Sequence, residues 1–377
     1  MNSKRVLVTV FMLIMIVPGC WDLEEIDRRA FVTALGIDLK PKGLVVLTAQ
    51  LPLPRQMLPP GSTSGGKEGK SFHTISATAH NVFNAFGVLQ SKTNRHLVVQ
   101  QNRLIVIGEE AARQGVNPLL DWIFRNPKLS PQSLIFIARH RLAKEILSET
   151  PSVSNMPGLE IRIASQLATK ENYTDFVPAW RFRKIMVNKT RDLYAPMVDF
   201  DQEEGQYIKE GLAVFNGDDL VGELSREETQ IFNVLTNQMK VGTMTFGPDE
   251  RENGKVFSMR NIMATTKIKV NIMRGKLFFG VDCETKGSLS ETNDIGQRLT
   301  LRSLEKLEKK VEREMQLRTT SLIHKLQSLH SDSIGFGEQL RAQHYRIWKE
   351  VDWRELFPTV PFRVSVKAKI IRNGVFR

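Results

Sequence analysis

The chain has 377 residues, of which 53 are Lys or Arg and 41 are Asp or Glu, giving a formal net charge of +12. Hydrophobic residues make up 41% and charged residues 25%, a composition that is ordinary for a globular protein and excludes a fibrous or disordered one. The length exceeds what one hydrophobic core holds comfortably, so two or three domains are expected. Two cysteines exclude a disulfide-rich scaffold.

The N-terminus has the pattern of an exported protein. Two cationic residues precede an apolar run over residues 6–17, which is shorter than the ~20 apolar residues that span a bilayer. Gly19 and Cys20 follow, an arrangement that resembles the lipobox of bacterial lipoproteins, whose cysteine sulfur is acylated. We therefore predict a signal peptide over residues 1–19 and a diacylglycerol and palmitate-type acyl anchor on Cys20. An ordinary signal peptide with a chance cysteine is the alternative.

The predicted tether decides which partners the positive charge suggests and whether the second cysteine can form a disulfide. A basic protein held against anionic headgroups gains surface attraction, whereas an exported and tethered protein rarely meets nucleic acid, so no nucleic-acid partner is expected. If Cys20 is acylated, Cys283 is the only thiol left. Its place in an alternating strand-like run predicts a small buried apolar residue.

Residues 20–150 are predicted to form a mixed α/β domain. Two apolar runs separated by the turn sequence Lys40–Gly43 predict a β-hairpin. Residues 52–70 are rich in Pro, Gly and Ser, which predicts a mobile loop. Beyond that loop, strand patterns at residues 102–108 and 133–138 alternate with short helical patterns, which is typical of a mixed α/β layer.

The rest of the chain is predicted to divide in two. Residues 151–205 carry two helical patterns after a proline-containing boundary, which predicts a mainly helical middle domain or linker region. Residues 206–377 are predicted to form an α+β domain, in which a capping box at Ser225 opens a helix. A long amphipathic stripe from residue 295 to 329 and alternating strand patterns around it predict an antiparallel sheet packed by a long helix. The helical pattern breaks at residues 334–337, resumes from 338 to 351, and is followed by a final strand.

The sequence shows no catalytic constellation. Its histidines lack metal-ligand spacing such as His-Glu-x-x-His, and residues 333–337 lack the Gly-x-Ser-x-Gly pattern of a nucleophile elbow. We therefore expect no enzyme activity, no cofactor and no metal.

Two stretches are candidate partner contacts. The turn from Asp332 to Gly337 places two glycines beside Phe336, which predicts a shaped surface with an exposed aromatic side chain; a buried hinge between helices is the alternative. Trp21 and Asp22 follow Cys20 directly and must lie close to membrane-embedded partners if Cys20 is acylated.

Short motifs over nearly the whole mature chain resemble those of a known protein family. The motifs are Gly19-Cys20-Trp21-Asp22, Leu35-Gly36-Ile37-Asp38, Ile105 to Glu109, Glu210 to Phe215, and Asp332 to Gly337. Together they resemble the Ger(x)C family, the C-subunit lipoproteins of nutrient germinant receptors in spore-forming Bacillota. The resemblance implies a non-enzymatic, lipid-anchored protein of three domains on the outer surface of the spore inner membrane. It also implies assembly with the integral-membrane A and B subunits of a receptor that starts germination.

Two other functions remain as alternatives. A solute-binding lipoprotein that feeds a transporter would also be tethered, but it would fold as two similar α/β lobes around a cleft. A tethered hydrolase would need the catalytic residues that the sequence does not show.

Overall fold

The computed structural model describes residues 28–53, 71–152, 156–239, 241–249, 255–292 and 300–371. The predicted signal peptide, the anchor at Cys20, and the spacer residues Trp21 and Asp22 lie outside these described residues. Residues 54–70 of the predicted mobile loop also lie outside them. These expectations therefore stay predictions.

Strands and helices both occur along the whole described chain. The strands are β1 (Arg29–Phe31), β2 (Ala34–Lys40), β3 (Leu44–Pro52), β4 (Phe72–Ala79), β5 (His96–Val98), β6 (Leu104–Ile107), β7 (Leu134–Ala138), β8 (Tyr194–Asp201), β9 (Gln206–Ile208), β10 (Leu212–Asn216), β11 (Asp219–Leu224), β12 (Met244–Asp249), β13 (Lys255–Met273), β14 (Lys276–Thr292) and β15 (Phe362–Ile371). The helices are α1 (Val82–Ser91), α2 (Glu109–Arg113), α3 (Asn117–Arg125), α4 (Ala143–Ser148), α5 (Pro157–Lys170), α6 (Ala179–Met186), α7 (Arg226–Leu235), α8 (Leu301–Ser328), α9 (Phe336–Gln343), α10 (Tyr345–Glu350) and α11 (Trp353–Leu356). The predicted α+β class is confirmed.

Nine strands form the first sheet, in the order β11-β10-β8-β7-β6-β2-β3-β4, with β9 paired to β8. β2, β6, β7 and β8 run parallel to one another, and antiparallel strands flank them on both sides. The predicted hairpin is confirmed, because β2 and β3 pair antiparallel. All three predicted chain segments contribute strands to this sheet, including β8 from residues 151–205, while the division into domains stays a prediction.

The central strands are buried on both faces, as parallel strands flanked by helices usually are. Leu104 and Val106 of β6 pack with α4 and α5 on one face, where Ile161 of α5 is buried. Ile105 and Ile107 belong to a second core that contains residues of α1, α3 and α6. That second core continues into the C-terminal part of the chain, so the two parts share packed apolar side chains.

Asp38 explains why the Leu35-Gly36-Ile37-Asp38 motif ends in an acid. Its Oδ1 accepts a hydrogen bond from Ala143 N at 2.7 Å and its Oδ2 accepts one from Lys144 N at 3.0 Å, so the carboxyl group joins β2 to the start of α4. A Cβ at Gly108 would come within 2.2 Å of Asp38 Oδ1, so only glycine leaves room for the carboxyl group. Burial raises the pKa of Asp38, and these two N–H groups oppose that shift.

The second large sheet lies at the C-terminal end, in the order β12-β13-β14-β15. β12, β13 and β14 pair antiparallel as predicted, but β15 runs parallel to β14 from Phe279–Phe362 to Ser288–Ile371. The expectation of a purely antiparallel sheet is therefore wrong for the last strand. The physical reason is that the long helix α8 intervenes between β14 and β15, and a helical crossover returns the chain in the same direction.

One helix signal of this region is confirmed, and two helix predictions need correction. The Ser225 capping box is confirmed, since Ser225 Oγ accepts a hydrogen bond from Glu228 N at 3.2 Å and Glu228 Oε2 accepts one from Ser225 N at 2.8 Å. The predicted break at residues 334–337 is displaced: α8 ends at Ser328, and Phe336 already begins α9. The single predicted helix from residue 338 to 351 is divided into α9 and α10.

Candidate functional site at the Asp332 turn

The turn between α8 and α9 brings together three of the residues that the sequence singled out. Asp332 Oδ1 accepts hydrogen bonds from Gly335 N at 2.9 Å and Phe336 N at 2.8 Å. Its Oδ2 accepts hydrogen bonds from Gly337 N at 2.7 Å and Trp353 Nε1 at 2.9 Å. One buried carboxyl group thus satisfies the first N–H groups of α9, which have no partner within the helix.

Gly335 and Gly337 allow this turn for different reasons. Gly335 has φ +95°, a left-handed conformation that costs a residue with a Cβ atom free energy. Gly337 is required by close approach, because a Cβ there would lie 2.5 Å from Trp353 Nε1 and 2.7 Å from Thr190 O. The glycines that sequence reasoning interpreted as a surface turn therefore serve tight internal packing.

Phe336 is not the exposed side chain that the sequence analysis expected. Its exposed fraction is 0%, and its ring lies 4.6 Å from Phe362, 5.3 Å from Phe279 and 6.2 Å from Phe357, measured between centroids. Asp332 and Gly337 are buried as well. The expectation of an exposed surface here is wrong, because aromatic side chains from β14, β15 and the turn after α11 converge on this point; the alternative of a buried hinge fits.

Asp192, which sequence reasoning did not single out, fastens this turn to the nine-stranded sheet. Asp332 N donates to Asp192 Oδ2 at 2.7 Å, and Asp192 N donates to Asp332 O at 3.1 Å. Asp192 Oδ1 accepts a further bond from Gly217 N at 2.9 Å in the turn between β10 and β11. Three segments distant in sequence therefore meet at two aspartates; we call this set of contacts the junction.

Two neighbouring residues extend the junction. Ser333 Oγ donates to Leu193 O at 3.0 Å, immediately before β8. Arg191 Nη2 donates to Ser333 O at 2.6 Å, and Arg191 also lies 3.7 Å from the carboxylate of Glu338 on α9. Continuous contacts thus join residues 191–193 to residues 332–338.

Burial governs the electrostatics of the junction. Loss of hydration raises the pKa of Asp332 to about 7, although the N–H groups of Gly337 and Phe336 and the indole of Trp353 favour the ionised form. The pKa of Asp192 is raised by burial as well, against the hydrogen bonds from Gly217 and Asp332. The charge of Asp192 also raises the pKa of Asp332, so protonation and packing are linked at the junction.

A cleft of about 660 Å³ opens beside the junction. Its lining comes from both matched domains and includes Asn188, Lys189, Asp218, Trp348, Lys349 and Arg354. The charges are of both signs, so the cleft has the size and polarity to hold a small polar molecule.

The described parts of the chain lack two features. Among these residues, no group of three or more His, Cys, Asp or Glu side chains is placed to bind a metal ion. None of the described helices is both long and apolar enough to cross a membrane.

Cys283 is buried as predicted, and its thiol pKa is raised by that burial.

Two family models match the chain in sequence. Residues 22–200 match the spore germination protein N-terminal domain, and residues 210–374 match the C-terminal domain described as spore germination B3/GerAC like. The chain is 25% identical to the putative spore germination protein YfkR of Bacillus subtilis over 97% of this chain and 95% of that protein. It is 24% identical to spore germination protein B3 of the same organism, over 97% and 96% of the two chains.

A solved structure also matches most of the fold. The crystal structure of the GerBC protein aligns with a TM-score of 0.54 and 22% identity, over 90% of this chain and 97% of that one. At this identity the likeness concerns the fold alone. The boundary between the two matched sequence domains falls between β8 and β10, so Asp192 and Asp332 lie in different domains of the match.

Proposed function

This chain belongs to the Ger(x)C family of spore germination proteins, and from that membership we propose that it is the lipid-anchored C subunit of a nutrient germinant receptor. The observation that carries the proposal is the match of two germination domains in series over residues 22–200 and 210–374. The GerBC-like fold supports it. A role in spore germination follows from the family, while the nutrient receptor and the lipid anchor are our proposal.

The anchor is proposed at Cys20. The lipobox-like sequence and the basic chain are its support. Two or more acyl chains anchor a protein stably, whereas one gives marginal binding. We place the protein on the outer surface of the spore inner membrane, in complex with integral-membrane A and B subunits, as a non-enzymatic component.

The junction suggests how such a subunit can carry a signal. Asp192 and Asp332 connect the two matched domains through buried hydrogen bonds, so a partner that displaces one domain must strain or break these contacts. We propose that the subunit works as one mechanically continuous body, and that the receptor's membrane subunits act on it through that body.

A gene deletion tests the function. Spores that lack the gene are expected to lose the response to at least one nutrient, measured as release of dipicolinic acid, while sporulation remains normal. Complementation with the wild-type gene restores the response, and Cys20→Ala restores it weakly or not at all. A normal response of the deletion strain to every nutrient, in a background without paralogues, contradicts the proposal.

The anchor and the partners need their own measurements. Treatment with globomycin is expected to block processing of the precursor, and mass spectrometry of protein extracted from spore membranes is expected to find A and B subunits with it. Unchanged processing would contradict acylation at Cys20 and would leave the receptor role open. The solute-binding alternative is not favoured, because it requires two similar lobes and the two large sheets differ in size and strand order.

A further inference from the structure

One face of the C-terminal sheet is strongly basic, and no helix among the described residues covers it. Its buried face holds Val281, Cys283 and Val366, which share a core with Val311 and Met315 of α8. Along β13, β14 and β15 the alternate residues point the other way and are solvent-accessible. This solvent-facing side is the open face.

The register of the three strands fixes which side chains stand together on the open face. Four rows run across the strands: Lys269, Gly280 and Arg363; Lys267, Asp282 and Ser365; Thr265, Glu284 and Lys367; Met263, Lys286 and Lys369. Six of these twelve positions are cationic and two are acidic, so the face carries a net charge of +4. By standard strand spacing the array measures about 20 Å by about 10 Å.

The cations on this face remain available to a partner. Lys269 pairs with Asp282 at 2.9 Å but keeps 62% of its side chain exposed. Lys286, Lys367 and Lys369 are exposed and lie in two adjacent rows. Like charges placed this close repel one another, so an anionic surface that neutralises them is attracted.

The form of the surface limits what can occupy it. A peptide usually pairs with the edge of a sheet or lies in a groove. The β15 edge is already covered, because Glu312 accepts a hydrogen bond from Ala368 N at 3.1 Å and Glu308 accepts one from Ile370 N at 2.9 Å. The cations of the open face form a two-dimensional array over three strands, which matches a plane of anionic headgroups better than a single extended chain.

We propose that the open face binds the anionic phospholipid surface of the membrane. This inference rests in part on the proposed function, because a lipid anchor would keep the chain beside such a surface. Lys and Arg side chains near anionic headgroups each contribute binding, and the sum falls as salt screens the charges. Contact at the open face would fix the orientation of the tethered body, which an anchor alone leaves free.

Vesicle sedimentation tests the inference without the lipid anchor. The chain from residue 20 onward, carrying Cys20→Ala, is mixed with vesicles of phosphatidylcholine alone or with phosphatidylglycerol added. We expect binding to the anionic vesicles at low salt, little binding to the neutral ones, and loss of binding at high salt. The triple variant Lys286→Gln, Lys367→Gln, Lys369→Gln is expected to bind roughly a hundredfold more weakly.

A charge-matched control separates the open face from overall charge. Lys306→Gln, Lys309→Gln, Arg313→Gln removes three exposed cations from α8 and is expected to change binding by less than about threefold. Equal losses in both triple variants, or no preference for anionic vesicles, overturn the proposal. If the chain ignores vesicles but binds polyglutamate through the open face, the occupant is an acidic protein segment and the membrane proposal is wrong.

These outcomes are distinguishable from failure of the proposed function. The tested protein has no acyl chain, so its vesicle binding does not depend on whether Cys20 is modified in the cell. A chain that is never acylated would contradict the anchor and leave the vesicle result standing. If the chain is acylated in the cell but the open-face triple variant binds anionic vesicles as well as the wild-type face does, only the membrane-binding proposal is contradicted.

Discussion

Asp192 and Asp332 exchange backbone and side-chain hydrogen bonds although 140 residues separate them: Asp332 N lies 2.7 Å from Asp192 Oδ2, and Asp192 N lies 3.1 Å from Asp332 O. The two residues belong to different matched domains of the family. The carboxyl group of Asp332 in turn organises the start of α9 and the indole of Trp353. This pair is therefore the point at which the two halves of the protein depend on each other.

Removing the Asp332 carboxyl group should be costly. Asp332→Ala leaves the N–H groups of Phe336 and Gly337 and the indole N–H of Trp353 without their acceptor. We expect the free energy of unfolding to fall by roughly 3–5 kcal/mol, measured by urea denaturation. Asp352→Ala is the matched control, because Asp352 caps the short helix α11 at an exposed position and its loss should cost about 1 kcal/mol. Equal losses in the two variants would contradict the central role given to Asp332.

The raised pKa of Asp332 predicts a pH dependence with a definite sign. An unfolded aspartate has a pKa of about 3.9, whereas burial raises the pKa of Asp332 to about 7 in the folded protein. Between these values the folded state holds a proton that the unfolded state has released. The contribution of this group to stability is therefore fully present below about pH 4 and is lost as the pH rises to about 7.

The measurement compares wild type with Asp332→Asn at several pH values. The wild-type free energy of unfolding should fall relative to that of the variant between pH 5 and pH 7.5, by at most about 1.4 kcal/mol per pH unit. The difference between the two proteins isolates this one group from the rest of the titrating chain. A difference that stays constant with pH, or that grows in favour of wild type as pH rises, contradicts the assignment.

Gly337 offers a steric test of the same junction. Gly337→Ala places a Cβ 2.5 Å from Trp353 Nε1, and we expect a loss of about 1–3 kcal/mol as the indole or the backbone at Thr190 shifts. Gly87→Ala is the control, and its expected effect on stability has the opposite sign. Gly87 lies in α1 with no atom within 4 Å of the added Cβ, so alanine should stabilise the helix by about 0.5–1 kcal/mol. Thermal unfolding that shows destabilisation by both variants would remove the steric explanation.

The parts of the fold that the sequence predicted correctly depend on local signals. The Lys40–Gly43 turn, the Ser225 capping box and the apolar runs at β6 and β7 each depend on residues close in sequence, and the structure contains each of them. The alternating pattern also predicted that Cys283 is buried.

The errors concern relationships between distant residues. The direction of β15 depends on the crossover of α8, and the partner of Asp332 lies 140 residues earlier, so no local pattern specifies either. The glycines around Phe336 indicated a surface turn, although they serve close packing inside the protein. The open face was also missed, because its charges come from three strands whose register becomes known only in the fold.

The last prediction concerns the outer edge of β15. An unpaired edge strand exposes N–H and C=O groups that can pair with another chain. Here α8 blocks the edge with three side chains one turn apart: Glu308 accepts from Ile370 N, Glu312 accepts from Ala368 N, and Gln316 Nε2 donates to Val364 O at 3.1 Å. The same helix that packs against the sheet therefore also protects it.

The double variant Glu308→Ala, Glu312→Ala removes two of these three blocking side chains. We expect the free energy of unfolding to fall by about 2–3 kcal/mol, and light scattering to show self-association that increases with protein concentration. Glu305→Ala with Glu350→Ala removes the same charge from exposed helical positions and should leave the protein monodisperse. Because both variants raise the net charge by two, any difference between them reports the uncovered edge and not the charge. Self-association of the control alone would show that surface acidity, and not the blocked edge, keeps the chains apart.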